Sequence, residues 1–103
     1  MTTSSHRSKY TIIGDILTCC LSPELFTHIM YKANLSFLMC STYLKYMLDT
    51  NLLENVVNGE VGKLHYLITS KGRAALDHIN QLQYLGIDNI SVKKDSSVIV
   101  NEN

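Results

Sequence analysis

The chain has 103 residues and a mass of 11.6 kDa, the length of one domain or of one domain with a tail. Nine Lys and Arg balance nine Asp and Glu, charged residues make up only 17%, and the pI is about 6.9. That balance excludes a basic tail and a protein that coats DNA by charge alone. No apolar stretch approaches the ~18–20 residues that a membrane helix needs. The polar start, Met1 to Lys9, is not followed by an apolar signal segment, so secretion is not expected. Three cysteines, two of them adjacent at Cys19 and Cys20, make no disulfide framework and fit reduced thiols in a cytoplasm.

Residues 1–8 read as a polar, flexible lead-in, with Ser8 placed to cap the next segment. Ile12, Ile13, Ile16, Leu17, Cys20 and Leu21 then recur with helical spacing and form an apolar face. Gly14 weakens this helix by about 1 kcal/mol relative to Ala, unless a close neighbour needs the space. Ser22-Pro23-Glu24 has the pattern of a helix start, a cap followed by a proline and an acid, and Thr27 is a second candidate cap for the same helix. Its inward face is Leu25, Phe26, Ile29, Met30 and Ala33, with Thr27, His28, Tyr31 and Lys32 off it.

Asn34-Leu35-Ser36 interrupts the pattern with a residue that tolerates the left-handed conformation of a sharp turn. Ser36 then caps a third helix, running to about Thr50 with Cys40, Tyr43, Leu44, Met47 and Leu48 inward. Two helices joined by a tight turn suggest a helix-turn-helix. Leu52 to Val57 follows as a short strand, Asn58 to Gly62 as a turn with an Asn-Gly pair, and Lys63 to Ile68 as the returning strand. Thr69 caps a last helix whose stripe is Ala75, Leu76, Ile79 and Leu82, with Leu85 as a further candidate, and Gly86 is a natural stop. Beyond it, Ile90 to Lys94 and Val98 to Val100 are short β-prone runs that fit a hairpin or a disordered tail, and weak order is the favoured reading. The expected architecture is therefore mainly α with a β-hairpin. It is a winged helix-turn-helix over 9–86, with a three-helix core, a wing and a C-terminal helix, followed by a tail over 87–103.

The segment Thr27-His28-Ile29-Met30-Tyr31-Lys32-Ala33-Asn34-Leu35-Ser36 closely resembles the second helix and turn of the archaeal winged helix-turn-helix regulators. Arg7-Ser8-Lys9-Tyr10 ahead of the first helix, with Ile12-Ile13 and Asp15-Ile16-Leu17 within it, resembles the same family. So does Tyr66-Leu67-Ile68-Thr69-Ser70-Lys71-Gly72-Arg73, which is similar to its Y-x-(I/L)-T-x-K-G lead into the last helix. Tyr43-Leu44 and Leu52-Leu53 also match in place, so the resemblance covers roughly residues 7–85. It implies a small DNA-binding transcription regulator, often a dimer through its last helix, and is compatible with a thaumarchaeal source. The chain departs from the family in its third helix, which there carries several Lys, Arg or Gln on its exposed face. Here Leu38, Met39, Ser41 and Thr42 occupy that stretch, with Lys45 as its positive charge, and His28 stands where Lys or Arg is usual.

A recognition helix reads base edges in the major groove by hydrogen bonds and by apolar contact with thymine methyls. Ser36, Ser41, Thr42, Lys45 and Tyr46 have the groups for the first, Phe37 and Met39 for the second. Thr27, His28 and Lys32 are expected near the phosphate backbone, and Asn58 and Lys63 on the wing near phosphate or the minor groove. Lys71 and Arg73 are expected to cap and line the last helix. The expected partner is double-stranded DNA, met by a homodimer whose contact is Leu76, Ile79, Leu82 and Gln83 on the last helix. The plainer reading of that stripe is packing on the first helix, and Lys32 and Lys45 also fit ordinary solvated charges. Phe37-Leu38-Met39 also fits a protein-contact patch, which makes a protein-interaction module the alternative. Cys20 and Cys40 fit the core, and Cys19, Cys40 and a histidine lack the spacing of a metal or redox site. The histidines, His6, His28, His65 and His78, are scattered. No phosphate loop, Cys-x-x-Cys, His-Glu-x-x-His or nucleophile with a neighbouring base is present, and Asp15, Glu24 and Asp77 are isolated acids, so neither an enzyme nor a cofactor is expected.

Overall fold

Hydroxyl caps set the start of three of the four helices among the described residues. In the computed structural model, which describes residues 7–58 and 62–87, Ser8 Oγ accepts from the Thr11 amide at 3.1 Å and opens α1 (Lys9–Cys19). Ser36 Oγ accepts from the Met39 amide at 3.1 Å and opens α3 (Phe37–Asp49). Thr69 Oγ1 accepts from the Gly72 amide at 2.9 Å and opens α4 (Ser70–Tyr84). Each cap satisfies one orphan amide and is worth about 1 kcal/mol. The fourth helix, α2 (Phe26–Lys32), has Leu25 at its N-cap and no side-chain cap. Two strands, β1 (Leu53–Asn58) and β2 (Lys63–Ile68), lie between α3 and α4.

Three of the helices end alike. The residue after the C-cap takes a positive φ, Asn34 at 56°, Asn51 at 64° and Gly86 at 81°. The next amide then reaches back across the last turn: Leu35 to Met30 O at 2.9 Å, Leu52 to Met47 O at 2.8 Å and Ile87 to Leu82 O at 2.9 Å. This Schellman arrangement satisfies carbonyls the helix leaves open, and it needs a residue that tolerates the left-handed region. It turns α2 into α3 within a few residues and sends the chain from α3 straight into β1.

The strands form an antiparallel hairpin with Leu53 opposite Ile68 and Asn58 opposite Lys63. Residues 59–61 of the turn, including Glu60, lie outside the described residues, as do residues 1–6 and 88–103 with the C-terminal tail. Backbone hydrogen bonds tie the hairpin to the α1–α2 connection. Tyr66 N donates to Glu24 O at 2.8 Å, Glu24 N to Tyr66 O at 3.0 Å, and Ile68 N to Cys20 O at 2.9 Å. Glu24 is thus paired as an extended residue, which is why Ser22-Pro23-Glu24 does not begin a helix. Thr27 is not a cap either; α2 starts at Phe26. Leu21, expected inward, lies beyond the end of α1 and is exposed.

The core lies where the helices meet the base of the hairpin. Ile16, Leu17, Cys20, Ile29, Cys40 and Met47 have no exposed surface there, and Leu44, Leu53 and Ile68 are buried beside them. Arg7 and Ser8 belong to the ordered structure rather than to a flexible lead-in. Arg7 pairs with Asp15 at 2.7 Å and donates to the carbonyls of Ala33 at 2.6 Å and Asn34 at 3.2 Å, so it pins α1 to the helix turn.

Two glycines mark close approaches. A Cβ at Gly14 would stand 3.0 Å from Ile79 Cγ2, so α1 and α4 pack backbone against side chain there. A Cβ at Gly72 would overlap the Leu52 carbonyl oxygen and stand 2.8 Å from Ile68 Cγ1. Overpacking of this kind costs about 1–3 kcal/mol, and a backbone oxygen has little room to yield. Gly72→Ala is therefore expected to lower the urea midpoint by an amount equivalent to about 2 kcal/mol or more; an unchanged midpoint would show that α4 shifts without cost.

Candidate nucleic-acid interface

The outward face of α3 is largely uncharged. With about 100° between successive residues, Leu38, Thr42, Lys45 and Asp49 fall on one line along the helix. Leu38 is 73% exposed at the centre of the first turn. Tyr46 and Met39 flank the line, 51% and 40% exposed, and Ser41 lies half-buried on the other side. Phe37 is exposed but leans on Phe26 of α2, with ring centroids 5.3 Å apart and planes at 51°. Ser36 is engaged as the cap of α3. Leu38 is thus the most forward apolar side chain of the helix, although Phe37 and Met39 are the expected thymine contacts. Its place on the line with Thr42 and Lys45 was readable from the spacing.

The cations around this face are mostly engaged. Lys45 pairs with Asp49 at 3.4 Å, and both side chains are well exposed, so the pair is weak and screened by salt. On α2, Thr27 is exposed, while Lys32 Nζ donates to Glu24 Oε2 at 2.7 Å and His28 Nδ1 lies 3.1 Å from Glu24 Oε1. The Glu24 side chain is only 15% exposed. Its hydrogen bond from Lys32 is the largest influence holding its pKa below the usual carboxylate value, against a smaller opposing effect of burial. A lowered carboxylate pKa stabilises the fold above the unfolded value, and that contribution is lost as pH falls through the folded value. Glu24 is therefore ionised at neutral pH, and Lys32 and His28 share its charge.

Lys63 is exposed at the start of β2, opposite Asn58 in the register. Asn58 ends β1, and its side chain lies outside the described residues. Lys71 Nζ donates to Thr50 O at 2.8 Å and so ties α4 to the end of α3. Arg73 is exposed on α4. One cation was missed in the sequence: Lys9, at the start of α1, lines a groove of about 330 Å³ with Ile13, Thr42, Tyr43 and Tyr46, and so stands beside the outward face of α3. No local pattern announces it, because the pairing joins residues more than thirty positions apart.

The expected dimer stripe needs correction. Leu76 and Ile79 are buried core residues, 8% and 6% exposed, and Ile79 fills the space left by Gly14 on α1. They face inward because α4 packs its apolar side on α1. Leu82, 38% exposed, and the half-buried Gln83 remain near the surface.

Cys20 and Cys40 are buried, and burial pushes their thiols up to about 12 and about 11. Cys19 is half-buried and is shifted upward by the same cause. Among the described residues no three His, Cys, Asp or Glu come together in a way that would hold a metal ion. No described helix is long and apolar enough to cross a membrane.

A winged helix-turn-helix family profile matches residues 6–86, and the chain belongs to that family. The fold is shared with Sso10a-2, a DNA-binding protein from Sulfolobus solfataricus. The two structures superpose with a TM-score of 0.70 over 94% of this chain and 100% of that chain, at 24% sequence identity. No curated protein matches the chain.

A thiolate, not a thiol, attacks an alkylating reagent, and buried thiols with raised pKa values react slowly. Native protein treated with iodoacetamide at neutral pH should be labelled, slowly, at Cys19 alone, and at all three cysteines once unfolded in urea. Mass spectrometry of the digested protein checks this, and rapid native labelling of Cys20 or Cys40 would contradict the packing described.

Proposed function

We propose that the protein is a sequence-specific, DNA-binding transcriptional regulator that works as a homodimer in the cytoplasm, on the nucleoid. The observation that carries this reading is the outward face of α3, set forward of the core within a winged helix-turn-helix and bordered by Lys9 and Lys45. The DNA-binding nature of the structurally similar Sulfolobus protein supports it. In this reading α3 enters the major groove. Ser41, Thr42, Lys45 and Tyr46 hydrogen-bond to base edges, and Thr27, His28, Lys32 and Lys9 face phosphates. Asn58 and Lys63 bring the wing to the flanking backbone. Two copies double a small set of contacts, which lets a neutral chain hold a duplex.

The exposed Phe37 and Leu38 favour one rival, a winged helix that binds another protein through Phe37 to Met39. Electrophoretic shift with a random duplex pool at two salt concentrations separates the two. Retention that weakens with salt, with one sequence enriched, supports the regulator. No retention at low salt supports the rival.

Charge substitutions refine the contact face. Lys45→Glu should weaken DNA binding and flatten the plot of log affinity against log salt by about 1. Glu24→Gln should do the opposite: it releases Lys32 and His28 from a carboxylate, strengthens binding, and steepens the plot by about 0.9 for one added phosphate contact. Anisotropy titrations at several salt concentrations read both, and unchanged slopes in the two variants would remove α2 and Lys45 from the interface.

The dimer is proposed to form through the exposed end of α4, at Leu82 and Gln83. Leu82→Glu should then sediment as a monomer at concentrations where the unaltered protein is a dimer, with its helical circular dichroism unchanged.

A further inference from the structure

We infer that α3 reads the 5-methyl group of thymine, with Leu38 as the reading side chain; this rests on the DNA-binding role proposed above. Leu38 is 73% exposed and begins the outward line, one turn before Thr42. Phe37 leans on Phe26 beside it, and Met39 is 40% exposed on its other flank. From Phe37 to Thr42, the first turn and a half of the helix, no side chain carries a charge. The start of α3 is therefore apolar on its outward face, with Lys9 at its flank beside Thr42 and Tyr46, and the paired Lys45 and Asp49 farther along the same line, Lys45 two turns on from Leu38.

That distribution matches one feature of the duplex. Guanine, adenine and cytosine offer polar atoms along the major groove, whereas thymine adds a methyl group. A leucine pressed against a carbonyl, ring nitrogen or amino group strips it of water and returns no hydrogen bond, which is unfavourable. Pressed against a methyl, it removes apolar surface of both partners from water. Lys9 at the flank of the helix suits a phosphate, and Lys45 farther along the same line suits a polar base edge, so the complementary occupant is a methyl-bearing base edge in DNA rather than a wholly apolar protein surface. Cytosine methylated at C5 presents the same methyl and should be read in the same way.

The test measures binding by fluorescence anisotropy at low salt on four duplexes of equal length: alternating A·T, alternating A·U, alternating G·C, and G·C with every cytosine 5-methylated. The protein should bind A·T more tightly than A·U, and methylated G·C more tightly than plain G·C, each by about fourfold per methyl contacted. Leu38→Ala should erase both differences while keeping weak binding, and because Leu38 is exposed its melting temperature should not change. Duplexes bound equally with and without the methyl would overturn the inference and leave DNA binding standing. So would differences that persist in Leu38→Ala, since they would then report duplex shape rather than a leucine contact. A variant that binds no duplex would overturn it too, because one methyl contact does not account for the whole affinity. If the unaltered protein retains none of the four duplexes, both the inference and the DNA-binding reading fall.

Discussion

The arrangement depends on how the hairpin is attached to the helices. Three backbone hydrogen bonds join the α1–α2 connection to β2: two between Glu24 and Tyr66, and one from Ile68 to Cys20. They make the connection a short extended segment beside the hairpin and fix the point from which α2 departs. The tight Asn34 turn then fixes α3 relative to α2, so wing and outward helix face share one frame. A two-stranded hairpin is marginal in isolation, and this one is stable because its base is bonded to the helical layer and its Leu53 and Ile68 sit in the common core.

The same attachment explains which parts of the fold were legible in the sequence. Caps and stops are local signals. Ser8, Ser36 and Thr69 open helices where their hydroxyls reach amides three residues on, and Asn34 and Gly86 end them where a positive φ is needed. The strand pairing of Glu24 is not local, because its partner is more than forty residues away. Read locally, Ser22-Pro23-Glu24 is a good helix start, and tertiary pairing overrides it. Gly14 and Gly72 behave in the same way. A sequence shows that a side chain is missing, but only packing shows that Ile79 and the Leu52 carbonyl occupy the space.

The candidate site was legible in outline and less so in detail. The outward residues of α3 follow from helical spacing once its cap is known, and that spacing also places Leu38 ahead of Phe37. The state of the charges does not follow from spacing. His28 and Lys32, four and eight residues on, share a Glu24 that stands outside α2 in an extended segment, and Lys9 reaches the α3 face only through the packing of α1. The α4 stripe shows the limit of amphipathic reasoning. An apolar stripe indicates that something covers it, and here Leu76 and Ile79 are covered by the protein's own core, Ile79 against Gly14 of α1, while Leu82 stays exposed.

These features bear on how a neutral winged helix can discriminate between partners. Counterion release scales with the number of phosphates neutralised, and a surface with few unengaged cations gains little from it. If the chain binds DNA as proposed, weak non-specific attraction leaves a larger share of the affinity to contacts with base edges, which differ from sequence to sequence. Glu24 acts in the same direction, since a carboxylate held ionised beside Lys32 and His28 competes with phosphate for both. An apolar start to the outward face of α3 and partly neutralised cations around it are thus two aspects of one balance. In the DNA-binding reading proposed above, both reduce general adhesion to the duplex and leave more of the discrimination to shape and chemical fit at the helix face.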